Sequence, residues 1–301
     1  MLSGYLVPRM YQQKYLPAVP KWVFYVSRLL RVWLPFVVAF LIVFGIHQIF
    51  ADPQPVDVLW GLSLLGLAST HKDVLGTAWS LDIEIQFYLL VPVLWAALGY
   101  CSRKGAIGWG LWILAGLTIL GWYLQIAHEV RTVLSYLPPF VVGMLIWFKK
   151  PKVATAKAMA SIAIFLFAGV IVLLSSYLRP FLIYKTPAPF ELDWFGMAWV
   201  MLLIPFVIWN LQQRSSGCDM HLGNFSYALY ITHWPVIAFM KMFTEASDFQ
   251  NKLVVLVVIL AVAVVFYVGV DRPCENLRRK LISYWLSKPS SVGRQAVSTV
   301  G

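Results

Sequence analysis

Nine apolar runs limit what this chain can fold into. They cover roughly residues 32–50, 56–70, 84–101, 106–127, 132–148, 158–178, 194–210, 225–243 and 253–270 of 301. Most approach the ~20 residues needed to cross a hydrocarbon core as a helix. Within lipid, only helices and closed barrels satisfy every backbone polar group. These runs are too long and too uniformly apolar to be barrel strands. With 60% hydrophobic and 12% charged residues, the chain is far from the balance of soluble domains. The expected fold is an all-α, polytopic transmembrane helical bundle.

Charge decides how many runs cross. The net charge is +11, but the cations are scattered through loops between apolar runs, so membrane topology explains them and nucleic acid does not. If all nine runs cross with the N-terminal segment inside, 11 Lys and Arg fall inside and 13 outside, against the positive-inside rule. The run 56–70 is short and carries Asp57, Gly61, Ser63 and Gly66. If it is only partial or re-entrant, the count becomes 18 inside and 6 outside. The expectation is therefore eight full spans, one partial helix and both termini cytoplasmic.

Residues 1–31 hold no apolar core of the kind a cleavable leader needs. Cys101, Cys218 and Cys274 form no Cys-x-x-Cys pair, so isolated thiols are expected. After Asp271, Leu277, Leu281, Tyr284 and Trp285 share one helical face with cations opposite, the pattern of an interfacial helix on the inner leaflet. Residues 289–301 have the composition of a disordered cytoplasmic tail. No internal repeat is evident.

The chemistry concentrates in Trp79-Ser80-Leu81-Asp82-Ile83-Glu84-Ile85-Gln86-Phe87-Tyr88. It places two carboxylates and an amide at the mouth of an apolar helix, where ionisable groups are costly and mark sites. Glu84 and Tyr88 share a face at i, i+4, whereas Glu84 and Gln86 do not. Glu84 is expected to point into the bundle and Asp82 toward the watery mouth; a plain helix-dipole role is the alternative for Glu84. Trp79 could equally be an interface aromatic. Arg28 and Arg31, at i and i+3, present planar donor forks suited to phosphate, or simply anchor the helix at the headgroups. His233 lies well inside a run with Tyr230 one turn before it and Pro235 just after. It reads as a proton-transfer residue or as a hydrogen-bonded structural His. His47 reads as interfacial, and His71, His128 and His221 as loop residues. No pair has metal-ligand spacing, so no metal is expected, and no Gly-rich phosphate loop or nucleophile elbow is present.

Several of these segments together resemble the acyltransferase 3 family of integral-membrane O-acyltransferases. The family carries Trp-Ser-Leu, a Glu shortly after, then Gln-Phe-Tyr and a Pro, as in residues 79–92. Ser3-Gly4-Tyr5-Leu6 is similar to the end of an early family helix, and Arg28-Leu29-Leu30-Arg31 to the Arg-x-x-Arg segment that follows. Asn224-Phe225-Ser226-Tyr227-Ala228-Leu229-Tyr230-Ile231-Thr232-His233-Trp234-Pro235 resembles a late-helix motif, and Asp271-Arg272-Pro273 a closing Glu-Arg-Pro. The order and spacing hold along the chain.

The resemblance implies an enzyme that moves an acyl group, most simply acetyl, from acyl-CoA to a hydroxyl of an envelope glycan or lipid-linked sugar. It would work in a bacterial inner membrane, with acyl-CoA as donor substrate rather than bound cofactor. Glu84 and His233 would be catalytic. Arg28, Arg31, Trp79, Ser80, Gln86, Tyr88 and Tyr230 would bind substrates. The family also has a preceding helix with a basic residue and a His about ten positions later. This sequence starts at Met1-Leu2-Ser3-Gly4, so residues 1–288 are expected to be an N-terminally truncated acyltransferase-like domain, inactive as it stands. An inactive family remnant and a polytopic transporter or lipid-moving protein are the alternatives; short helices such as 56–70 favour the transporter, and the missing repeat counts against it.

Overall fold

The computed structural model describes residues 1–15, 20–50, 58–70, 73–176, 178–179, 190–213, 217–241 and 249–287. Among them there is no strand. The helices are α1 (Leu2–Met10), α2 (Lys21–Phe50), α3 (Val58–Ser63), α4 (Leu67–Thr70), α5 (Ala78–Arg103), α6 (Ile107–His128), α7 (Leu137–Lys149), α8 (Thr155–Leu174), α9 (Phe190–Met201), α10 (Ile204–Gln212), α11 (Gly217–Met240), α12 (Phe249–Phe266) and α13 (Arg272–Ser287). The fold is all-α, as the apolar runs require. The tail 289–301 lies outside the described residues.

Five helical stretches are long and apolar enough to cross a membrane: Lys21–Phe50, Ala78–Arg103, Ile107–His128, Thr155–Leu174 and Lys252–Leu286. A sixth arises if the bent pair Phe195–Met201 and Ile204–Gln212, which meet at 46°, is one broken span. Val133–Lys149 is apolar but shorter. The run 56–70 does not form one continuous helix. The chain breaks between α3 and α4, where Leu64 (φ 58°) and Gly66 (φ 78°) take left-handed conformations. At six and four residues, neither piece reaches across a ~30 Å core.

The described residues divide into two compact units. One contains residues 1–10 and 90–217. Within it α1 packs on α7 at a crossing with no room for side chains. A Cβ at Gly4 would overlap the Phe140 carbonyl, and one at Gly143 would overlap the Met1 carbonyl and the Gly4 backbone. Small residues give apolar helices their close approach in lipid. Tyr5 then meets Trp147 edge-on at 5.6 Å. Elsewhere in this unit Phe165 and Trp199 stack at 4.9 Å, with the indole N–H donating to the Phe165 carbonyl.

The other unit contains residues 11–89 and 218–301. Its core is aromatic and aliphatic: Phe24, Phe36, Phe40, Phe87 and Ile231 are all fully or almost fully buried. Gly61 of α3 packs against the Phe40 ring, whose Cζ would lie 2.6 Å from an added Cβ.

Residues 252–286 are one helical stretch of 35 residues, roughly 52 Å at ~1.5 Å per residue, far longer than a bilayer core. The polar residues after Asp271 therefore continue the α12 helix. The expectation of a separate helix lying on the leaflet is corrected. Only the apolar part fits hydrocarbon, and the charged remainder packs antiparallel on the N-terminal end of α2. Arg31 meets Glu275, Ser27 meets Arg278, and Trp22 meets Trp285. The inward face of α13 carries Arg278 and the buried Ile282, whereas Leu277 and Tyr284 are exposed. Amphipathic spacing alone could not tell which side meets a partner helix.

Replacing Gly143 with Ala is expected to destabilise the protein by about 1–3 kcal/mol, the usual cost of overpacking. A lowered midpoint in detergent thermal unfolding, with Gly116→Ala unchanged because an added Cβ there meets nothing within 4 Å, would show it.

Candidate active site

All the polar residues of interest below lie in the unit formed by residues 11–89 and 218–301. They come from α2, α5, α11, α13 and the turns that lead into α5 and α13, and form three connected groups.

The first group is at the mouth of α5. Asp73, in the turn before the helix, accepts from the N–H groups of Leu75 (2.9 Å) and Trp79 (3.2 Å). The Trp79 N–H is one that a helix start would otherwise leave open. Burial pushes its carboxyl above the usual carboxylate value, although the surrounding N–H groups pull it down. Gly76 has φ 69°, and the Trp234 indole lies where a side chain would be. Only glycine fits both demands. The Tyr230 hydroxyl donates to the Thr77 carbonyl at 2.9 Å and contacts the Ser80 hydroxyl at short range. Tyr230 and Trp234, one turn apart on α11, thus clamp the start of α5. The Thr77 side chain is 6% exposed, and among the described residues its hydroxyl has no hydrogen-bond partner.

The second group follows along α5. Asp82 is fully buried, with one oxygen accepting from the Ala68 N–H at 3.0 Å and the other from the Gln86 amide at 2.9 Å. It is not at a watery mouth. The sequence reading is corrected here: Asp82 holds α4 against α5, and Glu84 is the carboxylate left partly accessible. The pattern of alternating burial could not anticipate α4, whose N–H satisfies Asp82. Gln86, expected to bind substrate, spends its amide on Asp82. Glu84 accepts from the buried Tyr88 hydroxyl at 2.6 Å, the i, i+4 pair the sequence indicates. Arg28 lies within electrostatic reach of Tyr88, and Glu84 within reach of Tyr227 and Tyr230. Glu84 and Arg28 therefore act on one phenol.

The third group is a cluster around Glu275. Arg31 donates from Nη1 to Glu275 (3.1 Å) and from Nη2 to the Asn224 side chain (3.1 Å). Arg278 grips both carboxylate oxygens, at 2.8 and 2.6 Å, and gives its other terminal nitrogen to the buried Ser27 hydroxyl at 2.6 Å. Arg279 adds Nε at 2.8 Å. Asp271 acts on Arg31 as a second carboxylate. The Tyr227 hydroxyl donates to the Val32 carbonyl at 2.8 Å, and the ring stands between the Glu84 and Arg31 groups electrostatically. The free-fork picture of Arg31 is thus corrected: both its terminal nitrogens are engaged by protein.

His233 is half-buried on α11 and its Nδ1 faces the Tyr230 carbonyl at 2.7 Å. A carbonyl only accepts, so the proton sits on Nδ1 and Nε2 carries the lone pair when the ring is neutral. Among the described residues Nε2 has no hydrogen-bond partner. Trp79 and Ser80 are half-buried beside Tyr230's end of this network. His221 lies inside α11 rather than in a loop, with Nδ1 3.4 Å from the Tyr267 hydroxyl. His47 is exposed on the last turn of α2, and His71 lies outside the described residues. Asp73, Thr77, Asn224, Glu275 and Arg278 carry no strong sequence signal, because each acquires its role from a distant partner.

Residues 1–270 match the acyltransferase domain of the acyltransferase 3 family. The chain belongs to the acyltransferase 3 family. It is also 25% identical over 201 residues to a Komagataeibacter xylinus protein named "putative membrane-bound transacylase BcsY", covering 64% of this chain and 50% of that protein. The chain thus spans about half the length of the curated relative it matches. No solved structure matches it. Family membership and the apolar helices together make it an integral membrane protein. The match ends just before α13, so the helix that supplies Glu275, Arg278 and Arg279 lies outside the matched stretch.

Removing the Asp82 carboxylate strands the buried Ala68 N–H, at a cost of about 1–3 kcal/mol, and takes a partner from the half-buried Gln86 amide. Asp82→Ala is therefore expected to lower the thermal midpoint in detergent much more than Glu84→Ala. Equal midpoints for the two variants would contradict this structural role.

Proposed function

We propose that the protein is a membrane O-acyltransferase, moving an acyl group, most simply acetyl, from acyl-CoA to a hydroxyl of an envelope glycan or lipid-linked sugar. Its family match over residues 1–270 carries this reading. The Arg28, Glu84–Tyr88, Tyr230 and His233 cluster supports it by putting the needed groups in one apolar setting.

The acceptor oxygen attacks the thioester carbonyl carbon. The new C–O bond forms as the C–S bond breaks, the acceptor proton passes to a base, and coenzyme A leaves as its thiol. On this reading Nε2 of His233 takes the proton, a role available because Nδ1 is committed to the Tyr230 carbonyl. Glu84, held by Tyr88, orients the acceptor hydroxyl. The Ser80 and Thr77 hydroxyls, with Trp79 beside them, form the polar wall against which the acceptor lies, and Thr77's unmatched hydroxyl offers it a hydrogen bond. Arg28 faces the phosphates of the donor.

An apolar cavity of about 570 Å³ between α2, α11 and α12, lined among others by Ile42, Ile46, Val236, Phe239, Val262 and Phe266, has the size of a ligand pocket. It suits the hydrocarbon of a lipid-linked acceptor. Thr232 and Pro235 of α11 share in its wall, one residue either side of the His233–Trp234 pair.

The test is transfer of label from acetyl-CoA into envelope glycan or lipid-linked saccharide in membranes from cells expressing the full-length gene product. Transfer above a vector control is expected. Glu84→Gln is expected to lower it about 10²-fold at unchanged membrane abundance. Label that stays with the donor in the wild type, or a fully active Glu84→Gln protein, overturns the reading or Glu84's part in it.

A further inference from the structure

Around Glu275, the charge is unequal. Three guanidinium groups, from Arg31, Arg278 and Arg279, converge on one carboxylate, and Asp271 adds only one more negative charge. Most of the cluster is withdrawn from water: the side chains of Glu275, Arg278 and Arg31 are 12, 13 and 24% exposed. The withdrawn charges pair off, Arg31 and Arg278 against Glu275 and Asp271, so the unmatched positive charge is that of Arg279 at the exposed edge of the cluster, where an anion can reach it.

The hydrogen bonds show where that anion could sit. Arg278 has its Nε and both terminal nitrogens engaged, by Glu275 and Ser27. Arg31 has both terminal nitrogens engaged. Arg279 alone is bound to Glu275 only through Nε, and among the described residues its two terminal nitrogens make no hydrogen bond. Its side chain is 65% exposed. Fixing Nε aims the terminal pair outward as a planar fork, the geometry that matches two oxygens of a phosphate. Ser27 on α2 and the α13 residues hold this arrangement at the seam between the two helices, beyond the apolar part of each. That places it at the depth of headgroups and soluble cofactors, not of hydrocarbon.

We propose that the α2–α13 seam is a phosphate-binding site, with Arg279 as the contacting residue and Glu275 as the positioning residue that gathers the three arginines. The ligand is a phosphate ester, carried either by coenzyme A or by an anionic lipid headgroup. The first source rests on the acyl-CoA reading above; the second stands without it.

The experiment uses the full chain in nanodiscs, either of phosphatidylcholine alone or with phosphatidylglycerol at one part in five. Coenzyme A binding is measured by calorimetry in the first, and retained phosphatidylglycerol is counted by native mass spectrometry in the second. Arg279→Gln is expected to weaken one of the two about fivefold or more, and Arg279→Lys, which keeps the charge but not the fork, to restore it only in part. Loss of coenzyme A binding assigns the site to the donor. Loss of retained lipid assigns it to the headgroup. If the wild type binds no coenzyme A yet holds lipid in an Arg279-dependent way, the acyl-CoA reading fails and this site stands. Arg279→Gln that leaves both unchanged overturns the proposal. Glu275→Gln is expected to act in the same direction as Arg279→Gln, with Glu275→Asp recovering part of the loss. Because Arg279 is mostly exposed, its variant folds independently of whether Glu275→Gln does.

Discussion

Polar groups placed among hydrocarbon must find partners within the protein, because neither lipid nor distant water can satisfy them. In the unit built from residues 11–89 and 218–301, the arrangement of α2, α5, α11 and α13 follows from that demand. α2, α5 and α11 are apolar over most of their length, α13 is largely polar, and each contributes a few side chains that cannot remain unmatched. Asp82 takes the Ala68 N–H and the Gln86 amide. Glu84 takes the Tyr88 hydroxyl. Glu275 takes three arginines. Tyr230 closes the start of α5 through Thr77 and Ser80. Apolar packing brings the helices close, but it is non-directional. These bonds fix which faces meet.

The same demand separates structural from functional residues. Asp82 has both oxygens matched by protein and is buried, so its valences are used within the fold. Glu84 accepts from the Tyr88 phenol and remains partly accessible. Arg278 is fully engaged and acts as a strut, whereas Arg279 is tethered at one nitrogen and presents the rest. His233 has one nitrogen committed to a carbonyl, which settles the tautomer and leaves the basic nitrogen available. In each case the chemistry left over after local bonding indicates what a residue can do for a substrate.

Left-handed backbone shapes two places in this unit. Gly76 combines a positive φ with the Trp234 ring against its Cα, so the turn that carries Asp73 and Thr77 is shaped by α11 as much as by its own sequence. Leu64 and Gly66 break the stretch 56–70, which allows α4 to present the Ala68 N–H to Asp82. A continuous helix there would have used that N–H internally and left the carboxylate without it.

The sequence by itself determined the all-α membrane fold, because runs of apolar residues near 20 long leave the backbone no other solution in lipid. It also determined the Glu84–Tyr88 pair, since i, i+4 neighbours meet on any helix, and the family, since its motifs are local. Only the tertiary structure decided that Asp82 and not Glu84 is the buried carboxylate, that Arg31 is bound to Asn224 and Glu275, and which face of the last helix meets α2. Those outcomes depend on partners 14, 193 and 244 residues away. Helical periodicity gives the direction of a side chain on its own helix, but not what another helix will place opposite it.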